Sequence, residues 1–147
     1  MIGLTLKQAK AGFFDRAVVQ NATTVAERKV LSRFGAFVRQ RAKTSIRPRA
    51  NPSPPGSPPS SHVGLLRQHL YFAWNRDRRS VVIGPVRLNK GQGDAPPLLE
   101  YGGTATRTRW GRSYLARYRP RPFMRPAFDA EVPRLPPHWR NSIRSSG

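Results

Sequence analysis

Seven carboxylates, three histidines and no cysteine are the groups from which this chain would have to build a reactive site. The carboxylates are Asp15, Glu27, Asp77, Asp94, Glu100, Asp129 and Glu131. Only Asp129 and Glu131 lie close together, and an i, i+2 pair does not share a helix face. His62, His69 and His138 are scattered, with neither the HExxH spacing nor the thiolate partners of a zinc site. The glycine-rich stretches GPVRLNKGQG and YGGT lack the Walker spacing and the strand-to-helix context of a dinucleotide fingerprint. A reaction needs a nucleophile, base or metal held in a dry pocket with tuned acidity. No such set is legible, so the expectation is a non-enzymatic protein with no catalytic residue, metal or cofactor.

Binding chemistry is far better supplied. Twenty-seven basic residues face seven acidic ones, for a formal net charge of +20. Of these, 22 are Arg and five are Lys. Self-repulsion on that scale argues for an acidic partner, nucleic acid or an acidic protein surface. Arginine suits planar, bidentate pairing with phosphate or carboxylate. It also accumulates in proteins of GC-rich genomes, a blander reading of the same surplus. Between Thr106 and Arg125 stand seven arginines and no acid, with Trp110, Tyr114 and Tyr118 at i, i+4, i+8. Arginine interleaved with aromatics is how single-stranded nucleic-acid binders combine backbone attraction with stacking. Arg107, Arg109, Trp110, Arg112, Tyr114 and Arg117 are therefore candidates for contact with DNA or an acidic partner. The alternative is a packed aromatic stripe with arginine stems lying over it. No RNP signature or zinc finger accompanies the segment.

The elements that must position these groups follow from periodicity. Residues 6–46 contain no proline and predict a long helix. Its first apolar stripe is Phe14, Val18, Ala22, Val25 and Ala26, and its second is Val30, Leu31, Phe34, Phe37 and Val38. The two are rotated apart, so the helix either breaks near Glu27–Lys29 or touches two surfaces. Residues 47–62 carry six prolines, four serines and a glycine, and read as a loop or spacer in extended polyproline geometry. Val63–Trp74 predicts a strand, Asn75–Ser80 a polar turn and Val81–Gly84 a second strand. Pro97–Tyr101 predicts a helical turn stopped by Gly102-Gly103. A basic, aromatic stretch runs over Thr104–Arg119, and a Pro-punctuated tail covers 132–147. The fold class expected is α+β in one domain: a long N-terminal helix on a small antiparallel sheet, with a short C-terminal helix and extended loops. No apolar run reaches the roughly 18 residues of a membrane span, and the N-terminus does not read as a signal peptide. A soluble protein made in the cytoplasm is expected.

Four motifs, in order, resemble the small neck or tail-completion proteins of long-tailed bacteriophages and prophages. PPGSPPSSHVGLLRQHLYF (Pro54–Phe72) is similar to that family's Pro/Gly-rich lead into a G-x-L-R strand. VVIGP (Val81–Pro85) is similar to its second strand, LLEYGGT (Leu98–Thr104) to its glutamate-aromatic-Gly-Thr element, and RPRPFMRPAFD (Arg119–Asp129) to its R-P-F-L/M-R-P-A signature. The motifs span about half the chain. A second glycine after Tyr101, a long Arg-rich insert before RPFMRPA and the Pro-rich C-terminus depart from the pattern. The resemblance implies a structural virion protein at the head–tail connector, in a closed ring that joins or completes the tail. A hexamer is the expected ring, with a dodecamer the alternative. Its implied neighbours are connector, tail-terminator or tail-tube proteins, with a DNA contact in the channel. The long Pro-rich loop and the Arg-rich insert would be arms reaching other rings.

Within RPRPFMRPA, three prolines hold the chain extended, so that Phe123 and Met124 form a rigid anchor between the forked donors Arg121 and Arg125. Glu100, Tyr101, Arg119, Arg121, Phe123, Met124 and Arg125 are the candidate subunit-interface residues, with Glu100 expected to pair with an arginine of this motif. The plainer alternative is that RPFMRPA packs on the chain's own sheet.

Overall fold

Arg16–Ser45 form a single helix, α1, of 30 residues, about 45 Å long at 1.5 Å per residue. The computed structural model describes residues 16–86, 95–140 and 142–143, so residues 6–15 of the expected helix, Phe14 among them, lie outside the described residues. Ala26, Val30, Phe34, Val38, Ala42 and, just past the helix end, Ile46 recur every fourth position as one buried line. That line runs unbroken through Glu27–Lys29, where the sequence allowed a break. Val18 and Val25 of the expected first stripe stand exposed instead.

What covers the buried line is a hairpin and a short helix. Strands β1 (Leu70–Asn75) and β2 (Ser80–Pro85) pair antiparallel, with Leu70 opposite Pro85 and Asn75 opposite Ser80. Alternation puts Leu70, Phe72 and Trp74 on one face with Val81 and Ile83, and Leu70, Val81 and Ile83 join the core of α1. The expected strand from Val63 starts late. Gly64 turns the chain in a left-handed conformation, its N–H bonded to Ser61 Oγ at 2.9 Å, and Leu65–Gln68 wind one helical turn, α2, before β1 begins. Two arginines tie the hairpin down. Arg39 Nε donates to the Leu70 carbonyl at 2.5 Å, and Arg79 pairs with Glu27 at 2.6 Å.

Beyond the hairpin come α3 (Ala95–Tyr101), strands β3 (Gly103–Arg109) and β4 (Arg112–Tyr118), α4 (Met124–Glu131), a 3-10 turn (Val132–Arg134) and α5 (Leu135–Trp139). The four strands make two separate two-stranded sheets. The fold is therefore α+β, as the sequence predicts, with the Thr104–Arg119 stretch resolved as a second hairpin. The core gathers Phe34, Val38, Ala42 and Ile46 of the α1 segment with Leu70, Phe123 and Ala127. Phe128 meets Phe34 edge-on with ring centroids 5.6 Å apart. Arg41 reaches the buried Glu131 carboxylate at 2.6 Å.

Two readings of proline need correction. RPFMRPA is not extended throughout, because α4 starts at Met124 and Pro126 sits in its first turn. That position tolerates proline, since first-turn N–H groups have no intrahelical acceptor. Nor do residues 47–62 form a free spacer. Ser61 N–H donates to the Arg47 carbonyl at 3.0 Å and closes the loop's base. Gly56 N–H donates to Pro120 O at 2.9 Å, and Arg121 Nε to Ser53 O at 2.8 Å. The prolines here shape a folded loop fastened to the stem of RPRPFMRPA.

Gly35 is where α1 and the hairpin come closest: a Cβ there would lie 2.7 Å from Val81 Cγ2 and 3.2 Å from a ring carbon of Phe72. Helix propensity favours Gly35→Ala by about 1 kcal/mol, whereas overpacking opposes it by about 1–3 kcal/mol. Net destabilisation is the expected result in urea unfolding, and a stabilised variant would refute this packing.

Candidate functional site

The candidate site is built outward from one carboxylate. Pro96-Pro97 begin α3 in positions that need no N–H donor, and Gly102 ends it with φ +74°, its N–H bonded to Leu98 O at 2.9 Å. A Cβ on Gly102 would meet the Tyr118 carbonyl at 2.9 Å, so no other residue fits the turn. This stop places Glu100, only 8% exposed, against the start of α4. Its Oε2 accepts the N–H groups of Phe123 at 2.9 Å and Met124 at 3.0 Å, and its Oε1 accepts that of Arg125 at 2.8 Å. Those donors are the unsatisfied N–H groups of a helix start, where the macrodipole also favours negative charge. Glu100 is thus a helix cap supplied from a distant segment. Arg121 N–H adds a bond to Leu99 O at 2.6 Å, locking the two segments side by side.

That lock forms the base of the β3–β4 hairpin. Its strands pair from Gly103 opposite Tyr118 to Arg109 opposite Arg112, and extend about 23 Å at 3.3 Å per residue. Their dense contacts are with each other, and among the described residues neither strand packs substantially on another element. Nearly every residue along it is exposed, with Leu115 at 71% and Trp110, at the tip, at 87%. The tip is Trp110-Gly111, with φ of +51° and +74°. A tryptophan there carries a steric cost of about 1–2 kcal/mol.

Cross-strand register sorts the side chains. One face carries Ala105, Arg107, Arg109, Arg112, Tyr114, Ala116 and Tyr118; the other carries Thr104, Thr106, Thr108, Ser113, Leu115 and Arg117. Arg107 lies over the Tyr118 ring at 5.5 Å and donates to its hydroxyl at 2.5 Å. Arg109 lies over Trp110 at 4.3 Å. Among the described residues no carboxylate pairs with an arginine of the hairpin.

Of the residues expected to meet DNA or an acidic partner, Arg107, Arg109, Arg112 and Tyr114 share a face with Trp110 at its end, while Arg117 points to the opposite face. The interface candidates divide. Tyr101 and Arg119 are exposed. Phe123, at 1% exposure, is consumed by the chain's own core, where Met124 packs beside it. It is an internal anchor, unavailable to a neighbour. Glu100 pairs with backbone amides, where an arginine was expected. The guanidinium of Arg125 instead meets Asp129 at 3.0 Å, and that of Arg121 serves the Pro-rich loop. The sequence marks the hairpin only weakly. Its signal was the Thr104, Thr106, Thr108 alternation around Trp-Gly, a turn that lacks the usual Asn-Gly.

The remaining titratable groups are spread through the scaffold. Glu27 and Glu131 hold Arg79 and Arg41, with Arg134 3.5 Å from the second Glu131 oxygen. His138 stacks on Phe37 at 5.6 Å. No cluster of metal-ligating side chains occurs among the described residues, and no helix among them is long and apolar enough to cross a membrane. No family model matches the chain, and neither a curated protein nor a solved structure matches it.

Glu100→Gln replaces a charged acceptor by a neutral amide whose NH2 faces N–H donors. A loss of about 2 kcal/mol is expected from weakening charge-assisted bonds, read as a lower urea midpoint at unchanged m-value. A shift within the surface-substitution range of about 0.5 kcal/mol would contradict the cap.

Proposed function

We propose that this chain is a structural ring subunit at the head–tail junction of a tailed phage, one that joins or completes the tail. Two lines support the reading. The first is the ordered set of four motifs resembling neck and tail-completion proteins. The LLEYGGT and RPRPFMRPAFD motifs are two halves of one contact, since the first supplies Glu100 and the second the amides it holds. The motif set therefore corresponds to a working scaffold.

The second line, and the observation that carries the proposal, is the unpacked β3–β4 arm on a locked base. An isolated two-stranded hairpin is marginally stable in water, so one held out without packing has its stability completed by a partner. A ring contact supplies this naturally: in a head-to-tail ring each subunit offers one surface to one neighbour and a different surface to the other. The arm is one such surface. An open groove along the first half of α1, lined by Ala22, Val25, Ala26, His138 and Arg140, lies elsewhere on the molecule. The role proposed is assembly, in a virion, with neighbouring connector and tail proteins.

Native mass spectrometry and negative-stain imaging of the full chain test this. A closed ring of one stoichiometry is expected, dissociating as salt rises. Replacing Thr104–Arg117 by a two-residue Asn-Gly turn keeps the Gly103–Tyr118 pair and should give a folded chain that no longer closes rings. A chain that stays monomeric at its highest soluble concentration, or rings that survive loss of the arm, would overturn the proposal.

A further inference from the structure

We infer that the Arg107/Arg109/Arg112 face of the β3–β4 arm is a duplex-DNA-binding surface, a two-stranded ribbon that lies in a groove and grips the phosphate backbone. The inference does not depend on ring formation. It starts from an arrangement unfavourable for the chain alone. Arg109 and Arg112 stand directly opposite each other at the arm's tip, where like charges destabilise a strand pair. No carboxylate relieves them among the described residues, although Arg41, Arg79, Arg125 and Arg134 each have one. A polyanion laid on this face turns the repulsion into attraction.

The aromatic groups favour a duplex over a single strand. Single-strand binders leave ring faces open for bases. Here the Trp110 ring carries Arg109 at 4.3 Å and the Tyr118 ring carries Arg107 at 5.5 Å, which leaves the half-exposed Tyr114 as a single open ring and no series of platforms for successive bases. The rings act as backing plates that hold guanidinium planes in place, with the forks left for bidentate contact to phosphate. The left-handed Trp110 backbone has a use in this arrangement, because it sets the indole beneath Arg109 at the tip. Shape agrees: a two-stranded ribbon is narrow enough for the major groove, about 12 Å wide, and the strands run long enough to follow it.

Charge is also one-sided. The face holds three arginines and no large aliphatic side chain, while Leu115 and the threonines lie on the reverse with Arg117.

The test is fluorescence anisotropy of the full chain with a short mixed-sequence duplex across a salt series. Two charge-matched triple variants are compared, R107Q/R109Q/R112Q on the arm and R49Q/R76Q/R78Q at exposed positions elsewhere. Removing Arg109 and Arg112 relieves their repulsion, so the arm variant should keep its far-UV circular dichroism. Its duplex affinity should fall at least about tenfold near physiological salt. Its log–log salt slope should shrink by about 3, one unit per arginine, with the control changed by less than about 1. Equal weakening in both triples would reduce the effect to net charge and overturn the inference. Tighter binding to a single strand of equal phosphate count would also overturn it. So would polyglutamate binding through the same three arginines with equal affinity.

Discussion

Glu100 and the first amides of α4 form the contact on which the second half of this molecule depends. A carboxylate withdrawn from water loses hydration worth several kcal/mol, and here three N–H donors and a helix dipole replace it. Those donors would otherwise be orphaned, because α4 has no side-chain cap of its own. The exchange satisfies both partners and fixes two segments that the whole β3–β4 hairpin separates in sequence. With Glu100 seated, Phe123 drops into the core beside Ile46 and Leu70, and the chain leaves and re-enters the scaffold at one point, through Gly102 and Arg121. The hairpin can then stand out as an arm without support of its own.

Scarcity of acid shapes the rest. Glu27, Glu100, Asp129 and Glu131 are all engaged with groups of this same chain, and on the arm Arg107 and Arg109 have aromatic rings as their companions instead. A chain of net charge +20 that places these four carboxylates in internal contacts directs its positive field outward. On the β3–β4 arm, arginines without a carboxylate partner coincide with strands that pack densely only on each other among the described residues. The ring reading and the DNA face draw on this one asymmetry at different scales.

Legibility in the sequence followed periodicity. α1 is legible through apolar spacing of three and four residues and the β1–β2 hairpin through aromatic and β-branched runs around a polar turn, because both bury a face. The β3–β4 arm buries neither face. Its alternation is between threonine and arginine, and hydrophobic pattern cannot report it. Charge pairing alone predicts a guanidinium partner for Glu100. Helix-start amides are equally suitable donors to a carboxylate, and only the fold shows that α4 begins where Glu100 ends. Proline misled in the same way. Its fixed φ suits an extended chain and a first helical turn alike, and RPFMRPA uses both within a few residues.

Amide hydrogen exchange resolved by residue tests the central claim most directly. The N–H groups of Phe123, Met124 and Arg125 should exchange only through global opening, matching the slowest amides of α1, while those of the arm exchange through cheap local opening. If the three amides instead exchange as fast as Thr106 or Tyr114, the Glu100 carboxylate is not holding them, and the account of the locked base fails.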